Sequence, residues 1–91
     1  MKYIVFKKRG MPIALLFDPI IEHSTFSHLN PESAGFFKIT EENVVDQYSV
    51  MYDGPTFVPK VSVYGKSTSL DLDSKPEDAK IIERCLSHKG I

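Results

Sequence analysis

Gly65-Lys66-Ser67-Thr68 has the ending of a phosphate-binding P-loop. The full motif opens with a second glycine, at the position held here by Lys60, and runs directly into a helix whose amide N–H groups meet the phosphate. Ser69–Asp73 alternate polar and apolar like a strand instead, so nucleotide binding fails on both counts. Asp71-Leu72-Asp73 resembles the start of a calcium loop, but such a loop continues with Asp or Asn at 75 and Gly at 76. Lys75 and Pro76 stand there. His23, His28, Cys85 and His88 are zinc-type donors, and Cys85 and His88 share one face at helical spacing. Zinc sites bring two closely spaced ligand pairs, which His23 and His28 do not supply. Cys85 as a thiol nucleophile is disfavoured by its place in an apolar helical stripe, which raises a thiol pKa and hides the sulfur. The Ser-centred elbow G-x-S-x-G is absent. Glu41-Glu42 with Asp46 would make a carboxylate group, but no pattern around them indicates a pocket. We therefore expect a non-enzymatic protein with no catalytic, cofactor or metal residue.

Two stretches have the composition of contact surfaces. Lys7-Lys8-Arg9 forms a basic turn of the kind that meets phosphates, against a bland alternative in which three charges merely solvate the turn. Residues 48–58, YSVMYDGPTFV, hold Tyr48, Met51, Tyr52 and Phe57, residue types enriched at interface cores. The bland alternative is that they close the core of a small domain. An exposed strand here could also pair with its own symmetry mate or with another protein's sheet.

The elements that must position these residues follow from periodicity. Tyr3–Phe6 and Ile13–Phe17 are β-rich runs around Gly10, which predicts a hairpin over 2–17. The second run is wholly apolar, as in a central strand. Asp18-Pro19 ends it, and Ile21, Thr25, Phe26 and Leu29 fit a short helix near 22–29. Ala34–Thr40 is a strand with Phe37 and Ile39 on one face and Phe36 on the other. Residues 41–59 read equally as a helix capped by Thr40 or as a strand turning at Asp53-Gly54-Pro55. Val61–Tyr64 and Ser67–Asp73 read as strands, the latter with Leu70 and Leu72 inward. Ser74-Lys75-Pro76-Glu77 has the form of a capping box, and Ala79, Ile82, Cys85 and Leu86 make an apolar stripe. The spacing predicts a helix over 75–88, with negative Glu77 and Asp78 at its positive end.

Hydrophobic residues make up 42% and charged residues 25%, ordinary for a folded protein. A net charge of −1 disfavours a general nucleic-acid binder, which carries a basic excess. One cysteine leaves no internal disulfide, a usage compatible with a reducing compartment. There is no apolar run long enough to span a bilayer, and Lys7-Lys8-Arg9 interrupts the N-terminal apolar run too early for a signal peptide. We expect one domain over 1–91, located in the cytoplasm, with no membrane contact. Its fold class is α+β: an antiparallel sheet of four to five strands, a short helix after the first hairpin, and a C-terminal helix packed on one face.

The order of MKYIVF, IIEH, SAGFF and VYGKSTSLDLDSKPEDAKIIERCL resembles small uncharacterised proteins of tailed phages, prophages and bacterial genomes. These carry an S-A-G-F strand, a Y-G-x-S-x-S-L strand and an S-[KR]-P-E-D-A helix. The resemblance brings no activity with it. This chain departs from the pattern between Lys38 and Lys60, where it is longer, and a longer segment is a natural carrier of a private function. The resemblance implies a phage or bacterial accessory protein. Small size, the missing catalytic motifs and the aromatic segment point to protein binding, as in an inhibitor of a host defence or regulatory complex. A nucleic-acid-binding module using Lys7, Lys8 and Arg9 is the alternative, and a homodimer fits the exposed-strand reading.

Overall fold

A computed structural model describes the backbone of residues 1–45, 56–86 and 88–89 and the side chains of 1–42 and 58–86. It is an α+β fold. Strands β1 (Lys2–Lys8) and β2 (Met11–Phe17) form the first hairpin. Arg9 and Gly10 are its two turn residues and both have positive φ, 54° and 78°. This is the mirror-image turn whose twist matches that of the flanking strands, and Gly10 supplies the conformation without strain. A 3-10 helix follows at His23–Leu29, within the short helix expected near 22–29, and left-handed Asn30 ends it. Strand β3 (Ser33–Val45) then runs antiparallel to β1 and to β4 (Thr56–Tyr64). The strand alternative for the ends of the 41–59 stretch is therefore the correct one.

The remaining elements are short. Strands β5 (Lys66–Ser67) and β6 (Leu72–Asp73) pair with each other as a miniature hairpin. The expected continuous strand over 67–73 does not form. The Ser67 hydroxyl accepts from the Leu70 amide at 3.2 Å and Asp71 N–H reaches the Thr68 carbonyl at 3.3 Å, which closes a turn in its middle. Helix α1 spans Asp78–Cys85, and β7 (His88–Lys89) pairs with Thr56 and Phe57. The helix is thus shorter at both ends than the 75–88 expected, and the backbone of residue 88 belongs to β7.

The start of α1 also differs from the expected capping box. The Ser74 hydroxyl donates to the Gly65 carbonyl at 2.8 Å instead of accepting from the helix. Lys75–Pro76–Glu77 form a turn closed by Asp78 N–H to Lys75 O at 2.9 Å. The Asp78 carboxylate reaches back to Lys75 N–H at 3.0 Å, the second half of a capping box displaced by one residue.

The main sheet has the order β2-β1-β3-β4-β7. Wholly apolar β2 is consequently an edge strand rather than a central one. Both of its faces are covered, which is the physical meaning of its composition. Ala14 and Leu16 join Tyr3, Val5, Phe37, Val61 and Val63 under α1, where Ile82 is fully buried. Leu15 and Phe17 join Ile4 and Ala34 on the opposite face, under Phe26 and Leu29 of the 3-10 helix and Leu70 and Leu72 of the small hairpin. The inward placement expected for Leu70 and Leu72 is therefore correct although the strand is not.

Candidate protein-interaction surface

Most of the groups with chemical potential are turned into the protein. Asp78, 1% exposed, accepts from the Tyr3 hydroxyl at 2.6 Å and the Ser33 hydroxyl at 2.9 Å as well as from Lys75 N–H. Burial, then the bond to Asp78, raises the Tyr3 phenol above the usual tyrosine range. This joins β1, the start of β3 and α1 at one buried point. Asp78 is absent from any motif-based list of candidates, because its burial depends on partners far away in sequence. Its only local signal is a position that also suits a helix-dipole charge.

The motif residues separate in space. His23 is buried against Phe17 and Phe36, with Nε2 3.0 Å from the Gly35 carbonyl, so it is a core residue and not a surface histidine. Cys85 is exposed, against the expectation that the stripe would hide it, and its thiol lies 3.6 Å from the Ala14 carbonyl. The inward face of α1 is made by Ala79, Ile81, Ile82 and Leu86 instead. His23 and Cys85 thus lie on opposite faces of the sheet. Ser67 of the GKST stretch is buried, 3.3 Å from the Ser69 hydroxyl, in the turn described above. Among the described residues every buried side-chain nitrogen and oxygen has a partner.

What faces outward is of three kinds. The first is the hairpin tip, where Lys7, Lys8 and Arg9 are all exposed. The Lys7 ammonium lies 3.7 Å from Glu32, a solvent-screened contact. The second is the turn after β2. There the Asp18 side chain and carbonyl accept from the Ile20 and Ile21 amides at 2.8 and 3.0 Å, and Ile20 is left 86% exposed.

The third is an arm formed by the far halves of β3 and β4. β1 pairs with β3 only from Ser33 to Phe36, and Met1 extends the contact to Phe37, whose N–H donates to the Met1 carbonyl at 2.9 Å and whose carbonyl accepts from the Met1 amino group at 3.4 Å. Beyond Phe37 the β3–β4 ladder continues without β1 to Val44↔Val58 and Val45↔Phe57, with β7 alongside β4 at Thr56 and Phe57. Lys38 to Glu42 are all exposed, and Ile39 among them is a large apolar side chain 46% exposed. The register slips between Ile39 and Glu41 and again before Val44, and the Thr40 hydroxyl bridges to the Lys60 carbonyl at 3.2 Å. Such bulges strengthen twist and interrupt a regular edge.

Of the expected partner-binding residues, Phe57 has its backbone in β4, opposite Val45 and His88. Tyr48, Met51 and Tyr52 lie outside the described residues. No protein-family model, no curated protein and no solved structure matches the chain. Among the described residues no helix is long and apolar enough to cross a membrane.

Proposed function

We propose that this is a small, non-enzymatic protein-binding module whose contact surface is the β3–β4 arm. The observation that carries it is that β1 accompanies β3 only as far as Phe37, which leaves the β3 edge of the arm open, with Ile39 exposed between polar Lys38 and Thr40. The bulges favour recognition through side chains over open-ended strand pairing, since an interrupted, twisted edge is a poor template for another strand. The aromatic 48–58 segment continues from the same arm and would supply Tyr48, Met51, Tyr52 and Phe57 to the contact. The sequence resemblance adds a setting, a phage or bacterial accessory protein in the cytoplasm that occupies a surface of a host defence or regulatory complex. The nucleic-acid alternative rests on exposed Lys8 and Arg9, with Lys7 in contact with Glu32.

Affinity purification from the native host, read by mass spectrometry, tests the proposal. The wild-type chain should retain a specific protein, and Ile39→Asp should lose it while melting at nearly the same temperature, because a half-exposed strand residue contributes little to the core. Equal retention by both proteins would remove the arm from the interface. Salt-sensitive retention of DNA or RNA that Lys8→Ala weakens would move the function to the hairpin tip.

A further inference from the structure

The two faces of the β3–β4 ladder differ in chemistry. Phe37, Val61 and Val63 pack with the core under α1. Alternation therefore puts Phe36, Lys38, Lys60, Ser62 and Tyr64 on the opposite face. There Phe36↔Tyr64 and Lys38↔Ser62 are neighbouring cross-strand pairs. The Phe36 and Tyr64 rings stack, with centroids 5.7 Å apart and planes at 18°. His23 meets Phe36 edge-on at 5.8 Å, which fixes the ring beside Tyr64. Gly65 leaves room for the stack, since a Cβ there would stand 2.9 Å from Phe36 Cδ2. Tyr64 is 49% exposed and belongs to neither core cluster. β7 flanks β4 only at Thr56 and Phe57, so among the described residues no strand pairs with β4 beside the outer side of Tyr64. Lys38 stands opposite uncharged Ser62, on a diagonal from Tyr64 that a long side chain spans. Lys60 follows on the same face, its charge partly offset by Glu41 across the bulge. Both lysines are exposed, and among the described residues neither has an ion pair.

We infer that this face binds single-stranded nucleic acid, with one base stacked on the open side of the Tyr64 ring, its phosphate held by the Lys38 ammonium, and Lys60 meeting the next phosphate. Every base has a flat face, so stacking holds bases without reading their sequence. The lysines select a ring that carries phosphate. An arginine of a protein partner also stacks on tyrosine, but here its charge would meet Lys38. A net charge of −1 suits a contact of one or two phosphates and not a long tract. The inference stands apart from the protein-binding reading, because Ile39 shares the side of Phe37 and Val61.

The full-length chain is titrated with a short, fluorescently labelled oligothymidylate and binding is read by anisotropy. Wild type should bind, and the logarithm of its affinity should fall with that of salt by about 0.7 for each phosphate engaged. Tyr64→Ala should weaken binding about tenfold or more, whereas Tyr64→Phe, which keeps the ring, should not. Lys38→Ala should reduce the salt slope by about 0.7. Lys38 is exposed, so this variant tests the site even if Tyr64→Ala fails to fold. The inference is overturned if oligothymidylate does not bind, if folded Tyr64→Ala binds as tightly as wild type, or if Lys38→Ala leaves affinity and slope unchanged. It is equally overturned if duplex DNA or polyglutamate competes as well as unlabelled oligothymidylate. Loss of binding on Lys8→Ala but not on Tyr64→Ala would place the contact at the hairpin tip instead. Loss of a host protein, but not of oligothymidylate, on Tyr64→Ala would give this face to the protein contact and overturn the inference too.

Discussion

Tyr3 is the residue at which this protein's stability should depend most visibly on alkaline pH. Its phenol is held protonated by burial and by the bond to Asp78. In the unfolded chain the same phenol titrates near pH 10. Above that pH the unfolded state has lost a proton that the folded state keeps, so stability must fall as pH rises. The limiting slope for one proton is about 1.4 kcal/mol per pH unit. Urea unfolding of wild type between pH 8 and 11, about the window set by the tyrosine reference value, should show this decline. Tyr3→Phe should start lower, by about 1–3 kcal/mol for the donor lost to Asp78, but fall less steeply. Parallel curves would remove Tyr3 as the responsible group. Gly35 sets a second residue-scale constraint. A Cβ there would stand 2.8 Å from the Tyr64 carbonyl and 3.0 Å from Ser74 Cβ. Backbone on one side leaves little room to yield, so Gly35→Ala should cost about 1–3 kcal/mol, visible as a lowered melting temperature. Neither constraint was legible in the sequence. Tyr3 and Asp78 are separated by 75 positions, and no local period connects them.

At the scale of elements, α1 does more than cover the sheet. Glu83 accepts from the Val61 amide of β4 at 3.1 Å, and the Cys85 thiol lies against the Ala14 carbonyl of β2. One helix thereby reaches main-chain groups on strands near both sides of the sheet, a way of blunting edges. Pro12 assists on β2. Lys8↔Met11 flank a two-residue turn and exchange ladder bonds, so the next pair, Lys7↔Pro12, does not, and the missing N–H of Pro12 faces the open edge. Glu83→Ala should therefore lower the urea midpoint by the equivalent of about 1 kcal/mol, and Glu83→Gln, which keeps an acceptor, should recover most of it. If both variants behave alike, the bond to Val61 is not a source of stability. The hairpin over 2–17 was legible because Gly10 and two apolar runs state it locally. The edge position of β2 was not, since an apolar strand reports only that both faces are covered. The capping box stands one residue later than expected because the Ser74 side chain is turned to the Gly65 carbonyl, a group that only the folded chain brings near.

For the molecule as a whole, the same tertiary ties divide it into two parts of unequal stability. Tyr3, Ser33 and Asp78 bind the first strand, the third strand and the start of the C-terminal helix to one another, so none of the three can separate without breaking a buried polar cluster. Ile4, Ala34 and Ile82 add fully buried apolar surface on both faces of the same sheet. The arm beyond Phe37 has no third strand on the β1 side, its described β3 side chains from Lys38 to Glu42 are exposed, and two bulges break its ladder. The β3 half of the arm is therefore held by β4 alone, whereas β4 is tied down by β7 and by Val61 in the core, and a strand paired on one side only is the weaker part. Native-state hydrogen exchange should accordingly resolve two groups of amides. Those of Tyr3–Val5 and Ile82 should exchange only through global unfolding, with protection that falls as urea is added. Lys38 and Ser62, facing each other in the arm, should exchange through a smaller opening that urea barely affects. If both groups converge on one urea-dependent line, the arm is part of the same cooperative unit. It would then be a rigid projection, and the partner would meet a preformed surface. If they separate as expected, binding must order the arm, and affinity for the partner should rise in variants that stiffen it without touching Ile39.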